Sequence, residues 1–312
     1  MNQRSDTPAA GEEPGIPWIR PEIQQQIRWR DGDVVVSVPG KSGTTWTMNI
    51  VHQLRTGGDG DFADVYVEIP WIEFVDGPQT SIAEVVARID ALPDDRRRGF
   101  KTHSAPPQLP YFAPGEGPDV KYVVVVRNPE EALVSFCPFI AKHRQAWFDL
   151  WGVPREAMVR DDFASFYAEV IVPNQMYGMF FGFVAAWWPL RHQENVLFLH
   201  FSEMKRDHEG SIRRIADFLG FTPTTEQWPA ILERTSFAWM KAHQEKFEMP
   251  ECAAVQPLEP GAMVRKGKAG AAAEDGMTPA IAADLSARGR MILRDEAAFD
   301  WLYNGGPIEG AS

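Results

Sequence analysis

Lys41, Ser42, Thr44 and Thr45 stand in the stretch VPGKSGTTW, directly after the apolar run DVVVS. A glycine-containing turn from a strand into a helix aims backbone N–H groups at one point, where they bind an anion. Lys41 adds a point charge and the hydroxyls add donors, so the group to expect there is a phosphate or a related oxyanion. The nucleoside-triphosphatase P-loop needs an earlier glycine ahead of its Gly-Lys-Ser/Thr, and here that position is Val35, inside the expected strand. A turn that merely links strand to helix is the plainer alternative, disfavoured by the lysine and the run of hydroxyls.

Three further stretches carry matching chemistry. In FKTHSAP, Lys101 and His103 fall at the end of a short expected strand. A histidine titrates near neutrality and can take a proton from a hydroxyl nucleophile, although a lone histidine is more often a surface or satisfied core residue. In VVVVRNPEEALVSF, Arg127 closes a buried strand and Ser135 follows on the next helix. The guanidinium fork suits phosphate, and the competing role is an ion pair with Glu130 or Glu131. In VRKGKAG, Arg265, Lys266 and Lys268 alternate with Gly267 and Gly270, a flexible basic loop that by itself is weak as a signal.

The elements that must position these residues are legible as a pattern. DVVVSV, KYVVVV and NVLFLHF are continuous apolar runs of the kind buried on both faces of a parallel sheet. A helical pattern follows each: TTWTMNIVHQL, then NPEEALVSFCPFI with Pro129 at a first helical position, then DHEGSIRRIADFLG with Gly220 as its stop. Alternating strands and helices predict an α/β fold, a single domain with a central parallel β-sheet flanked by helices, and ligands at the carboxyl ends of the strands. Residues 1–17 and 305–312 are expected to be flexible and residues 18–304 to form the domain. The stretch from Phe136 to Pro189 reads as an aromatic-rich helical layer, some of it walling an apolar pocket, and Met249 to Pro279 reads as a long loop of the lid or clamp kind.

Composition sets limits on this chemistry. The formal net charge is −12, which argues against general nucleic-acid binding and makes any anion site a local basic cluster. The two cysteines, Cys137 and Cys252, give no disulfide framework and fit a reducing compartment. The N-terminus shows no signal pattern, and the longest apolar run, Met176 to Leu190, is shorter than the roughly 20 residues that span a bilayer. The expectation is a cytoplasmic protein without membrane insertion. No His/Cys/Asp cluster has metal-ligand spacing, so no metal is expected.

Taken together, PGKSGTTW, KTH, RNPEEALVS, TSFAWM and RKGKAG resemble, in order and approximate spacing, the cytosolic-type sulfotransferases, with NVLFLHFSEMKRD and IPWIEF as further similar segments. The resemblance runs from about Trp29 to Leu302. It implies the P-loop-like sulfotransferase architecture and transfer of a sulfuryl group from 3'-phosphoadenosine 5'-phosphosulfate (PAPS), leaving 3',5'-ADP (PAP). The acceptor it suggests is a hydroxyl of an apolar small molecule: phenolic, steroid-like or lipid.

By this resemblance Lys41, Ser42, Gly43, Thr44, Thr45 and Trp46 would surround the 5'-phosphosulfate, with Lys41 on the departing sulfuryl group and Trp46 near the adenine. Arg127 and Ser135 would hold the 3'-phosphate together with Arg265, Lys266 and Gly267. Thr235, Phe237 and Phe201 would lie on the adenine side with Met240 nearby. Lys101 would stand by the transferring group and His103 would be the general base. Trp71 and Phe74 would contribute to the acceptor pocket.

The departures are specific. The family loop continues Gly-Asp-Trp-Lys where this chain has Gly270 and then Ala271, Ala272 and Ala273, so closure of that clamp is in question. Phe201 replaces a usual tyrosine. The Lys-x-x-x-Thr-Val-x-x-x-Glu dimer motif would fall at Glu274 to Ala283, where neither charged end matches and Pro279 takes the Val position. Two other readings remain at this stage: a magnesium-dependent P-loop NTPase or nucleotide kinase, and a non-catalytic nucleotide-binding partner with a degenerate clamp.

Overall fold

The computed structural model describes residues 16–94, 96–264, 267, 270 and 272–308. Four strands form one parallel sheet: β1 (Val34–Ser37), β2 (Gly99–Thr102), β3 (Lys121–Val126) and β4 (Val196–His200), in the order β2-β1-β3-β4. Val35 pairs with Phe100 on one side and Tyr122 on the other, and Val124 pairs with Phe198. Every residue of these strands except Lys121 is buried, which explains the unbroken apolar runs.

Successive strand side chains point to opposite faces, so the sheet has two cores. Val35, Phe100, Tyr122, Val124 and Phe198 face one, filled by Phe181, Trp187, Leu285 and Trp301. Val34, Val36, Val123, Val125 and Leu199 face the other, filled by Met48, Ile50, Ile212 and Ile215. The residues filling each core come from the helices Gly178–Trp187, Pro279–Ile292 and Glu296–Asn304 on the first face, and Thr44–Thr56 and His208–Leu219 on the second.

Strand order reverses between β1 and β3. The connection leaving β1 leads toward β2 and the one leaving β3 leads toward β4, so a crevice opens at the carboxyl ends of these neighbours. Two expected elements shift slightly. β2 runs one residue past Lys101, and Phe201 opens the helix Phe201–Arg206 instead of ending β4. The aromatic stretch forms several short helices, with Phe148, Phe166, Phe180 and Phe181 in the core. Between the turn Gln244–Phe247 and the helix Pro279–Ile292 the described residues form only isolated bridges. Pro279 sits in the first turn of that helix, behind the Thr278 cap.

Near the ends, the chain has contacts with the body. Ile16 lines the central cavity, and Gly306 is tied to Glu203 and to the Trp301 indole. Among the described residues no helix is long and apolar enough to cross a membrane.

Candidate active site

The loop after β1 runs from Val38 to Gly43 and then enters the helix Thr44–Thr56. Lys41 and Gly43 both have left-handed backbones, with φ of +62° and +98°. At Gly43 a Cβ would come within 2.7 Å of the Phe201 ring, so close approach and positive φ both require glycine there. The residue preceding the helix, Gly43, offers no side-chain cap to the first-turn N–H groups. The Ser42 hydroxyl is buried with no hydrogen-bond partner, and Ser42 itself stays behind the cavity wall. Gly40, Lys41, Gly43, Thr44, Thr45 and Trp46 form that wall.

β3 delivers Arg127 one residue past its end. Its Nη1 donates to the Lys41 carbonyl at 3.1 Å and its Nε to Glu131 at 3.0 Å, and its guanidinium lies 4.8 Å from the centre of the Phe201 ring. Arg127 makes the expected ion pair with Glu131, and it also lines the cavity. Ser135 joins it from the helix Pro129–Ala141, whose start is set by Asn128 accepting the N–H of Glu130.

β2 delivers Lys101 and His103. Lys101 is 2% exposed, its ammonium 3.0 Å from the centre of the Trp71 ring. His103 Nδ1 lies 2.6 Å from the Val38 carbonyl. A carbonyl only accepts, so Nδ1 carries the proton and Nε2 keeps its lone pair. Burial, reinforced by the Lys101 and Lys41 charges, pushes the imidazole well below its ordinary value, with the Val38 contact opposing. His103 is neutral at pH 7 and unprotonated on Nε2.

These groups line one cavity of about 740 Å³. Its polar end holds the β1 loop, Arg127, Ser135, Phe201 and Phe237. The Trp46 indole donates to the Thr235 carbonyl at 2.8 Å and packs edge-on against Phe201. Thr235 is a correction to the sequence reading: it is fully buried behind the wall, its hydroxyl spent on the Ile231 carbonyl at 2.7 Å. Ser236, Phe237 and Met240 are the residues on the wall.

Gly267 packs beneath the Phe237 ring, where a Cβ would meet it at 2.4 Å, and its φ is +57°. Arg265, Lys266 and Ala271 lie outside the described residues. Gly270 donates its N–H to Glu131.

The other end of the cavity is apolar, walled by Trp18, Trp71, Phe139, Trp147, Met158 and Met179. Phe74 does not reach it: its ring stacks on Trp71 at 4.8 Å.

Lys205, His208, His143 and Glu73 are among the wall residues that escaped the sequence reading. Lys205 donates to the Gly267 carbonyl. The His208 ring stacks on Trp46 at 6.0 Å. His143 is buried, pushed down to about 4 chiefly by that burial, with Nδ1 near backbone carbonyls. Glu73 accepts the His103 backbone N–H at 2.7 Å. Lys205 stood in the quoted segment NVLFLHFSEMKRD, His208 in DHEGSIRRIADFLG and Glu73 in IPWIEF, but no spacing marked them as cavity residues. Among the described residues no group of His, Cys, Asp and Glu is arranged to hold a metal ion.

A buried imidazole, two lysines and a glycine turn entering a helix thus meet at one crevice. The sulfotransferase domain family matches residues 31–290, and the chain belongs to that family. It is a PAPS-dependent sulfotransferase, which removes the triphosphatase and non-catalytic readings. It is 28% identical over 281 residues to sulfotransferase 1A1 of Bos taurus, covering 86% of this chain and 88% of that one. It is 27% identical to sulfotransferase 2A1 of Rattus norvegicus, over 68% of each chain. In fold it is similar to mouse sulfotransferase SULT7A1 complexed with PAP, with a TM-score of 0.67 and 21% identity over 90% of each chain. It is also similar to retinol dehydratase in complex with retinol and PAP, with a TM-score of 0.64 and 22% identity over 89% of this chain and 87% of the other.

Proposed function

We propose that the chain transfers a sulfuryl group from PAPS to the hydroxyl of an apolar small molecule, with His103 as general base in an in-line displacement. The observation that carries this reading is the Val38 contact, which fixes the His103 proton on Nδ1 and leaves Nε2 as acceptor in the cavity that also holds Lys41 and Lys101. The residues present fit the nucleotide. Lys41, the Gly43 turn and the uncapped helix start suit the 5'-phosphosulfate. Arg127, Ser135 and Gly267, all on the cavity wall, suit the 3'-phosphate. Trp46, Phe201 and Phe237 form an aromatic wall suited to the adenine.

In the step itself, Nε2 of His103 accepts the hydroxyl proton as the acceptor oxygen bonds to sulfur. The sulfur–oxygen bond to the phosphate breaks, and Lys41 with the loop N–H groups meets the negative charge left on that oxygen. Lys101 stands beside the transferring group. The apolar end of the cavity receives the acceptor, as the retinol of retinol dehydratase suggests by likeness of fold. Both cysteines are free, in keeping with the reducing cytoplasm proposed as its setting.

His103→Ala tests the assignment. A lost general base costs about 10²–10⁴-fold in rate, so transfer to phenol, sterol and hydroxylated-lipid acceptors should fall by that factor. PAP affinity by calorimetry should change little. An active His103→Ala enzyme would remove His103 from the chemistry.

A further inference from the structure

Glu73 is a carboxylate that is 1% exposed yet lies on the cavity wall. Taking a carboxylate out of water costs several kcal/mol unless its surroundings compensate, so its presence calls for a reason. Its position follows from the segment that carries it. The Lys101 N–H donates to the Pro70 carbonyl at 2.9 Å and the Ile72 N–H to the Lys101 carbonyl at 3.1 Å, laying residues 70–74 alongside β2. Trp71–Phe74 is a turn, closed by the Phe74 N–H donating to the Trp71 carbonyl at 3.4 Å, and it folds Glu73 back toward the end of β2. There the Trp71 ring meets the Lys101 ammonium, and Glu73 Oε1 accepts the backbone N–H of His103 at 2.7 Å. Oε2 is buried and accepts no hydrogen bond among the described residues.

The groups that face Lys101 and His103 come from every neighbouring element. Lys41 comes from the loop after β1, Tyr66 from the helix Val65–Glu68 and Glu73 from the edge segment. Of these Glu73 alone is acidic. Burial drives Lys101 well below an ordinary ammonium, and the Glu73 charge is the influence that opposes it.

We propose that Glu73 is a positioning residue of sulfuryl transfer: its side chain pins the backbone of His103 and sets an acidic group on the Lys101 side of the cavity, keeping cation and base together in one buried site. Glu73 exchanges no proton. The hydroxyl proton goes to His103, the acceptor oxygen–sulfur bond forms, and the electron pair of the broken sulfur–oxygen bond stays on the phosphate. The proposal rests on the roles given to Lys101 and His103 and deepens them.

The test is Glu73→Gln, which removes the charge and keeps an oxygen for the His103 N–H. Titration of the Lys101 ammonium is followed by NMR in ¹⁵N-lysine protein saturated with PAP, assigned with Lys101→Met. It should move to lower pH by about one unit, tenfold in proton affinity. The alkaline limb of kcat should move the same way, with the PAP Kd within about threefold of wild type. A Lys101 titration that stays put in a folded, PAP-binding variant overturns the proposal.

Glu73→Asp is read beside it, and in its place if Glu73→Gln does not fold. The aspartate keeps the charge, so Lys101 should titrate as in wild type. The retracted carboxylate loses the His103 N–H, so kcat should fall by about tenfold. Wild-type kcat in Glu73→Asp contradicts the pinning role, and a displaced Lys101 contradicts the charge role. His103→Ala in the same series separates the two readings. If it stays active, the base assignment fails while the Lys101 shift in Glu73→Gln stands or falls by itself.

Discussion

His103 can serve as a base at neutral pH because its surroundings deny it a proton beforehand. An ordinary histidine is half protonated near pH 6.5. Here burial and two lysines hold the neutral form well below that. The sign for activity follows: the rate should show no acid limb near pH 6.5 and should fall only at distinctly lower pH. A pH–kcat profile that halves near 6.5 would contradict the geometry. Linkage gives the matching sign for stability. The unfolded histidine binds a proton below about pH 6.5 and the folded one does not, so this residue's contribution is full above 6.5 and declines as pH falls below it.

Arg127 belongs to the same scale. It holds the Lys41 carbonyl, and its proposed partner is the 3'-phosphate. Hydrogen bonds to charged groups contribute about 1.5–3 kcal/mol, so Arg127→Ala should weaken PAP binding by roughly 10–100-fold in calorimetry. A Kd within threefold of wild type would exclude Arg127 from the nucleotide site.

At the scale of elements, the site exists because two neighbouring strands end at the same crevice and send their chains apart. The loop from β1 supplies the anion cradle and the turn from β3 supplies Arg127. The tight turn at Gly43 lets the helix Thr44–Thr56 start uncapped against Phe201. Gly43→Ala would place a methyl 2.7 Å from that ring on a backbone with φ of +98°. It should cost about 1–3 kcal/mol, visible as a lower Tm and weaker PAP binding. A variant that binds PAP as well as wild type would show that the cradle can relax.

The same scale shows what was legible in the residues. The apolar runs of β1, β3 and β4 and the helices after them were readable because strands buried on both faces leave no polar positions. β2 was visible only through its chemistry, since GFKT has one apolar side chain of any size. Its burial comes from β1 and the segment beside it, which local pattern does not encode.

Across the whole molecule, a chain of net charge −12 gathers Lys41, Lys101, Arg127 and Lys205 around one cavity. The aromatic layer that closes its apolar end is also structural. Trp147 is 1% exposed and touches Trp18 at 4.2 Å and His143 at 4.4 Å between ring centres. Trp147→Ala should destabilise the fold by about 3–5 kcal/mol and disturb acceptor turnover more than PAP binding, because the nucleotide end is built from other elements. Equal loss of both, with the fold intact, would show that the two ends of the cavity are one mechanical unit.

The sequence by itself determined the fold class and the kind of reaction, and it marked the glycine loop after β1 and the Lys101–His103 pair as candidates for the site. Each of these resides in a short contiguous stretch where residue type and local geometry act together. Only the tertiary structure decided which aromatic residues face the cavity and which fill the core, because helix and strand periodicity does not say what lies opposite. It set Thr235 behind the wall and Phe74 behind Trp71. It also brought Glu73, 30 residues away in sequence, onto the His103 backbone. That contact depends on a segment lying beside β2 through backbone hydrogen bonds, and backbone pairing carries no mark in the side chains it brings together.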